Sequence, residues 1–179
     1  FLGYAPSIYS HDCYTRDSII YSAEIYSGNL SIYDAHDPQN ITMLGQVRTP
    51  SEFTHNAWLS ANSKYMFTTD ERPDSYVASY DITDPGNIIE LDRWRQAATE
   101  GLGNVVHNVY VWEQDWLLVA YYANGTVIVD GSRPDNLVEV GNFDSFQGPD
   151  GYYPGVWGTY PWLPSGKVLS SDRNSGLYV

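Results

Sequence analysis

The sequence is short of cysteine and of positive charge, and each shortage removes a class of function. Cys13 is the single cysteine among 179 residues, which excludes an intrachain disulfide and any Cys-x-x-Cys redox or zinc motif. Nine Lys and Arg stand against 22 Asp and Glu, a formal net charge of −13. No basic stripe can be drawn from so few cations, so a nucleic-acid backbone is excluded as partner and cations or neutral ligands fit better. No apolar run approaches the roughly 18 residues of a transmembrane helix. A nucleophile elbow, a phosphate loop and a His-Glu-x-x-His motif are also missing. What the chain has instead is 16 Tyr, 6 Trp, 15 Gly and 10 Pro. Aromatics suit pleated, half-buried strands and the Gly and Pro suit turns, so the composition favours β structure.

Most of the chain repeats one unit. The ending Asp-x-x-[Asp/Arg]-Pro-x-Asn-[aliphatic] occurs with Asp34, Pro38, Asn40 and Ile41, with Asp81, Pro85, Asn87 and Ile88, and with Asp130, Pro134, Asn136 and Leu137. The opening pair recurs in step as His11-Asp12, His55-Asn56 and His107-Asn108. The period is roughly 48 residues, in the range of propeller blades. Four short strands separated by turn signals fill each period, which predicts an all-β fold, a β-propeller of four-stranded antiparallel blades.

The spacing divides a single domain, 1–179, into the end of a preceding blade (1–10), three blades (11–53, 54–105, 106–155) and an incomplete last blade (156–179). About four blades or part-blades are therefore expected, as the C-terminal part of a larger propeller whose remainder, or another chain, completes the last blade. A four-bladed ring closed by Phe1-Leu2-Gly3 is the alternative. Residues 95–104 read as a loop that could hold a helical turn, and 142–155 as a long loop that is either functional or covers something. Cys13 reads as a small buried hydrophobe on the first strand.

The endings Thr126-Val-Ile-Val-Asp130 and Leu30-Ser-Ile-Tyr-Asp34, the His-[Asp/Asn] openings, and the closing stretch from Trp157-Gly-Thr-Tyr-Pro-Trp to Asp172-Arg-Asn-Ser-Gly-Leu-Tyr-Val179 resemble the LVIVD-repeat proteins of the choice-of-anchor B family. The resemblance covers essentially the whole chain. It implies a bacterial propeller, extracellular or on the outer cell surface, and it implies a location more firmly than an activity.

Two constellations could carry chemistry. Equivalent positions of a propeller lie on a ring about its axis, so His11, His55 and His107 would share one height. With carboxylates from the adjacent strand, Glu24, Asp70 and Glu71 and further Asp172, they could hold a divalent ion such as calcium, zinc or manganese. The alternative is that each His pins one blade to the next by hydrogen bonding to backbone. The second constellation is aromatic: Tyr152, Tyr153, Trp157, Tyr160 and Trp162, suited to a carbohydrate or protein partner. Its alternative is packing between blades.

Two functions follow. One is a non-catalytic binding module with or without an axial metal. The other is a metal- or carboxylate-dependent enzyme acting on an extracellular polymer.

Overall fold

The structure is a computed structural model, and it describes residues 2–5 and 9–179. Among the described residues, fifteen strands are arranged in four separate antiparallel sheets, each built from consecutive strands. The first sheet holds β1 (Asp12–Arg16), β2 (Ile19–Glu24), β3 (Asn29–Asp34) and β4 (Thr42–Arg48). The second holds β5 (Thr54–Leu59), β6 (Tyr65–Asp70), β7 (Val77–Asp81) and β8 (Ile89–Trp94). The third holds β9 (Asn108–Trp112), β10 (Trp116–Ala120), β11 (Thr126–Asp130) and β12 (Val138–Phe143), and the fourth β13 (Val156–Tyr160), β14 (Leu169–Asp172) and β15 (Gly176–Tyr178). Each opening His falls immediately before the innermost strand of its sheet or within it. The helical turn expected in 95–104 is a single 3-10 turn, Ala97–Thr99.

The repeated ending has a local cause. Asp34, Asp81 and Asp130 each accept a hydrogen bond from the backbone N–H two residues on, at His36, Thr83 and Ser132, all at 2.9 Å. A carboxylate that caps its own chain in this way stops the strand and starts a turn. All three carboxyls are held below their ordinary pKa, Asp34 chiefly by the His36 backbone bond, Asp81 and Asp130 chiefly by the Thr83 and Ser132 side chains and then by the backbone bonds. The Asn of the motif then closes a second turn, with Asn40, Asn87 and Asn136 donating their N–H to the carbonyls of Asp37, Asp84 and Arg133 at 2.9–3.0 Å.

Consecutive sheets pack face to face in chain order, with β1 and β2 against β5, β5 and β6 against β9, and β9 and β10 against β13. One apolar cluster joins Tyr21, Leu30 and Ile32 to Ala57, Leu59, Met66 and Tyr80, between the first and second sheets. Another joins Phe67 and Val77 to Val109, Leu117, Val119, Val127 and Val129, between the second and third. Middle strands covered on both faces need no alternation of apolar and polar residues, which is why Leu117-Leu118-Val119-Ala120 is buried throughout.

The outer strands meet the next sheet just as closely. A Cβ on Gly45 would lie 1.7 Å from the Pro85 carbonyl oxygen, and one on Gly3 would lie 1.8 Å from that of Pro38. Gly3 thus repeats, against the first sheet, the contact that Gly45 makes with the second. Residues 2–5 nevertheless pair with no strand, and among the described residues the fourth sheet keeps three strands, so Leu2 and Gly3 add no strand to it. Phe1 itself lies outside the described residues.

One expectation is corrected. Cys13 is exposed. It occupies the position that Ala57 and Val109 hold in the next two sheets, where each is buried against the preceding sheet. Among the described residues no sheet covers that face of the first one.

Replacing Gly45 by Ala forces a methyl group onto a backbone carbonyl that cannot rotate away, and overpacking of this kind costs about 1–3 kcal/mol. Urea unfolding of Gly45→Ala is expected to show a lowered midpoint with an unchanged slope; an unchanged midpoint would mean that the two sheets do not meet here.

Candidate functional site

The strand register places His11, His55, His107 and Trp157 at one equivalent position. His11 and His107 donate their backbone N–H to Ala23 and Ala120 at 2.9 Å, the residues paired with Asp12 and Asn108, and Asn56 and Gly158 pair with Thr69 and Ser171 in the same way. The four rings form a row, with centroids 4.4 Å apart from His11 to His55, 4.4 Å from His55 to His107 and 4.5 Å from His107 to Trp157. Just after the second strand of each sheet, the facing position is held by Ile25, Glu71, Tyr122 and Arg173. The neighbourhood of the row therefore changes from apolar to acidic, phenolic and cationic along the four sheets.

Glu71 is brought to the histidines. Its Oε2 lies 3.5 Å from Nε2 of His55, its Oε1 lies 3.9 Å from Nε2 of His107, and Oε1 also accepts a 2.6 Å hydrogen bond from the Tyr122 hydroxyl. One ligand atom from each of His55, Glu71 and His107 lies within 4.8 Å of the others. His11 joins from one side, its Nε2 standing 2.9 Å from Nε2 of His55.

The tautomer of His107 follows from its partners. Nδ1 contacts the carbonyl oxygen of Trp157. A carbonyl can only accept, so Nδ1 carries the proton and Nε2 carries a lone pair. That Nε2 is buried with no hydrogen-bond partner among the described residues, in a side chain only 2% exposed. A buried acceptor left unpaired costs about 1–3 kcal/mol. Burial, then the neighbouring His55, pushes the His107 pKa down to about 3. Burial also lowers His55, against the pull of Glu71. Desolvation, and next the bond to Glu71, raises the Tyr122 phenol, which stays protonated and able to donate.

The other carboxylates proposed with the histidines have different partners. Glu24 accepts from Tyr33 Oη at 2.7 Å and Ser27 Oγ at 3.0 Å. Asp70 accepts from the Thr49 hydroxyl at 2.5 Å and from the backbone N–H groups of Ser51 and Phe53 at 2.8 and 3.0 Å. Asp172 accepts from Ser145 Oγ at 2.6 Å and from the backbone of Asn174 and Ser175. Each fastens a loop to the end of a second strand, and none of the three belongs to the His55, Glu71 and His107 cluster.

The aromatic group is divided. Tyr152, Tyr153 and Trp157 gather at the histidine end, where Tyr153 lies 5.4 Å from the Tyr122 ring and the Arg173 guanidinium sits 5.4 Å over the Trp157 ring. Tyr160 and Trp162 lie three and five residues further on. There Trp162 stacks on Trp58 at 5.2 Å and meets Tyr110 at 5.7 Å, in a second aromatic row with Tyr14.

At the histidine end, Tyr152, Tyr153, Pro154, Arg173 and Asn174 line a cleft of about 430 Å3. Its loop is held from beneath. The buried Asn104 side chain contacts Asp150 Oδ1 at 2.9 Å and the backbone N–H of Gly151, and the Tyr152 N–H donates to Gly103 O at 2.8 Å. On the other wall Arg173 donates to the Tyr153 carbonyl at 2.7 Å. Tyr122, Arg173 and Asn104 are the site residues that sequence reasoning missed. The first two could have been found by reading down the position that Glu71 occupies in the repeat.

No protein-family model and no curated protein matches the chain. Solved structures do. A protein from Lactobacillus plantarum matches with a TM-score of 0.76 at 14% identity, over 97% of this chain and 52% of its own. A candidate 6-phosphogluconolactonase from Bacteroides fragilis matches with a TM-score of 0.60 at 15% identity, over 73% of this chain and 37% of its own. A luciferin-regenerating enzyme matches with a TM-score of 0.60 at 14% identity, over 90% and 52%. The fold is that of β-propeller blades. Identities this low carry the architecture alone, and the chain spans only about a third to a half of the length of these propellers.

Two outcomes are expected here. In 15N NMR of the imidazoles, His107 stays neutral with Nδ1 protonated at pH 5, well above its depressed pKa; titration near the usual value of about 6.5 would contradict its burial. Asp70→Ala leaves the backbone N–H groups of Ser51 and Phe53 without their acceptor, and is expected to lower unfolding stability by about 2–4 kcal/mol in urea titration.

Proposed function

We propose that this protein is a ligand-binding β-propeller of the LVIVD-repeat, choice-of-anchor B kind, extracellular or on the outer surface of a bacterial cell, that takes a carbohydrate at the histidine end of its axis. The observation that carries the reading is the cleft beside Tyr152 and Tyr153. These side chains are 66% and 40% exposed, yet their loop is fixed by the Asn104 contacts and the Arg173 bond. Exposed rings on a fastened backbone lose little freedom when a sugar stacks on them, and the Arg173 and Asn174 side chains add donors for hydroxyl groups. The repeat motifs support the family, and the location rests on that resemblance. The same reading assigns the open edge of β15 to a further strand, supplied by the rest of a longer propeller or by another chain.

The second reading is a metal- or carboxylate-dependent enzyme acting on an extracellular polymer. The grouping of His55, His107 and Glu71 favours it, and two of the propellers similar in fold carry enzyme names.

Binding to a panel of soluble and insoluble polysaccharides, followed by calorimetry on those retained, tests the first reading. Tyr153→Ala and Tyr152→Ala are each expected to weaken binding about tenfold, which corresponds to about 1.4 kcal/mol and is of the size of one lost aromatic contact. Retention of no polysaccharide, or binding indifferent to both substitutions, removes the cleft from consideration. Release of reducing ends during incubation would transfer the case to the enzyme.

A further inference from the structure

We propose that the histidine row contains a transition-metal centre of the zinc class, ligated by Nε2 of His107, Nε2 of His55 and the carboxylate of Glu71. The inference is independent of the cleft and of any sugar. It begins with the Nε2 of His107, a fully buried lone pair with no partner among the described residues. The Trp157 carbonyl holds the proton on the opposite nitrogen, so the lone pair cannot be relieved by a change of tautomer without breaking that contact. A histidine whose Nδ1–H is given to a backbone carbonyl and whose Nε2 is bare is in the form that metal ligands take.

The rest of the set faces that atom. Glu71 has no Lys or Arg among its ion-pair partners in the described residues; the groups near its oxygens are His55, His107 and the Tyr122 hydroxyl. A half-buried carboxylate that pairs with no Lys or Arg, in a chain of net charge −13, is an environment that a cation stabilises, against the opposing charge of Arg173 felt at His107. The ligand atoms lie within 4.8 Å of one another. Around a tetrahedral ion bound at about 2.0–2.2 Å they would lie about 3.3–3.5 Å apart, so small side-chain movements close the set.

On binding, Nε2 of His55 gives up its contact with His11 for the ion. Two imidazoles select zinc over calcium and manganese, which favour oxygen ligands. Three protein ligands leave a coordination position open. Tyr122 is a positioning residue here, fixing Glu71 through its hydroxyl, and Trp157 positions His107 through its carbonyl.

Zinc chloride titrated by calorimetry into the chelator-treated chain, with metal analysis after gel filtration and visible spectra of the cobalt form, tests the centre without any enzymatic assay. One equivalent is expected, with visible d–d bands that move when His107 or Glu71 is changed. Glu71→Gln keeps an acceptor for Tyr122 while removing the charge and is expected to weaken zinc at least tenfold; His107→Gln is expected to abolish stoichiometric binding. Tyr122→Phe leaves all three ligands and should weaken zinc by about ten- to a hundredfold, the usual effect of removing a ligand's hydrogen-bond partner. It stands in if a ligand variant misfolds by circular dichroism. Absence of a stoichiometric site in the parent chain, or zinc held equally well by folded Glu71→Gln and Tyr122→Phe, overturns the proposal. Polysaccharide binding measured on Glu71→Gln in parallel separates failure of this centre from failure of the cleft.

Discussion

Face-to-face burial of successive sheets is the constraint on which the rest of this molecule depends. Each sheet is too small to hide its own apolar surface, and middle strands such as β10 are apolar on both sides, so the sheets are buried by covering one another. The packing fixes the angle between sheets, and the angle brings residues 44 or more positions apart in sequence into one row of rings. Glycine at position 45 is part of the same constraint. The outer strand of one sheet rests on the Pro85 turn of the next with no room for a side chain.

Much of this was legible because it repeats. The Asp-x-x-[Asp/Arg]-Pro-x-Asn ending has its own hydrogen bonds, made within a few residues, so it reads the same in every copy and marks strand ends to within a residue or two. The shared height of His11, His55 and His107 followed from the same periodicity, and an acidic residue beside them from the carboxylates of the adjacent strands. Which acidic residue was not legible. Glu24, Asp70 and Glu71 all lie at or just beyond a strand end, and what separates them is the loop each one meets. Asp70 turns to Thr49, Ser51 and Phe53, whereas Glu71, one residue on, turns to the histidines. Alternation along an extended chain sends neighbours to opposite sides, but the sequence does not say which side faces the axis.

Other features depended on contacts with no sequence signature. Cys13 has a buried residue's strand position and an exposed residue's surroundings, because burial there is contributed by a different sheet. Tyr152 to Trp162 reads as one aromatic surface, yet a single strand, β13, runs from the histidine row to the second aromatic row and carries its two ends apart. Asn104 sits in a loop of low β propensity, and only the folded chain brings it beneath residues 150–152.

The Asn104 anchorage has a mechanical consequence. The wall of the cleft that carries Tyr152 and Tyr153 is tied to the loop entering the third sheet, while the wall that carries Arg173 and Asn174 belongs to the fourth. Anything wedged between them acts as a brace across the joint of those two sheets. Occupancy is thereby converted into stiffness, and slower amide exchange along β13 and β14 would report a guest that no spectroscopic label has touched.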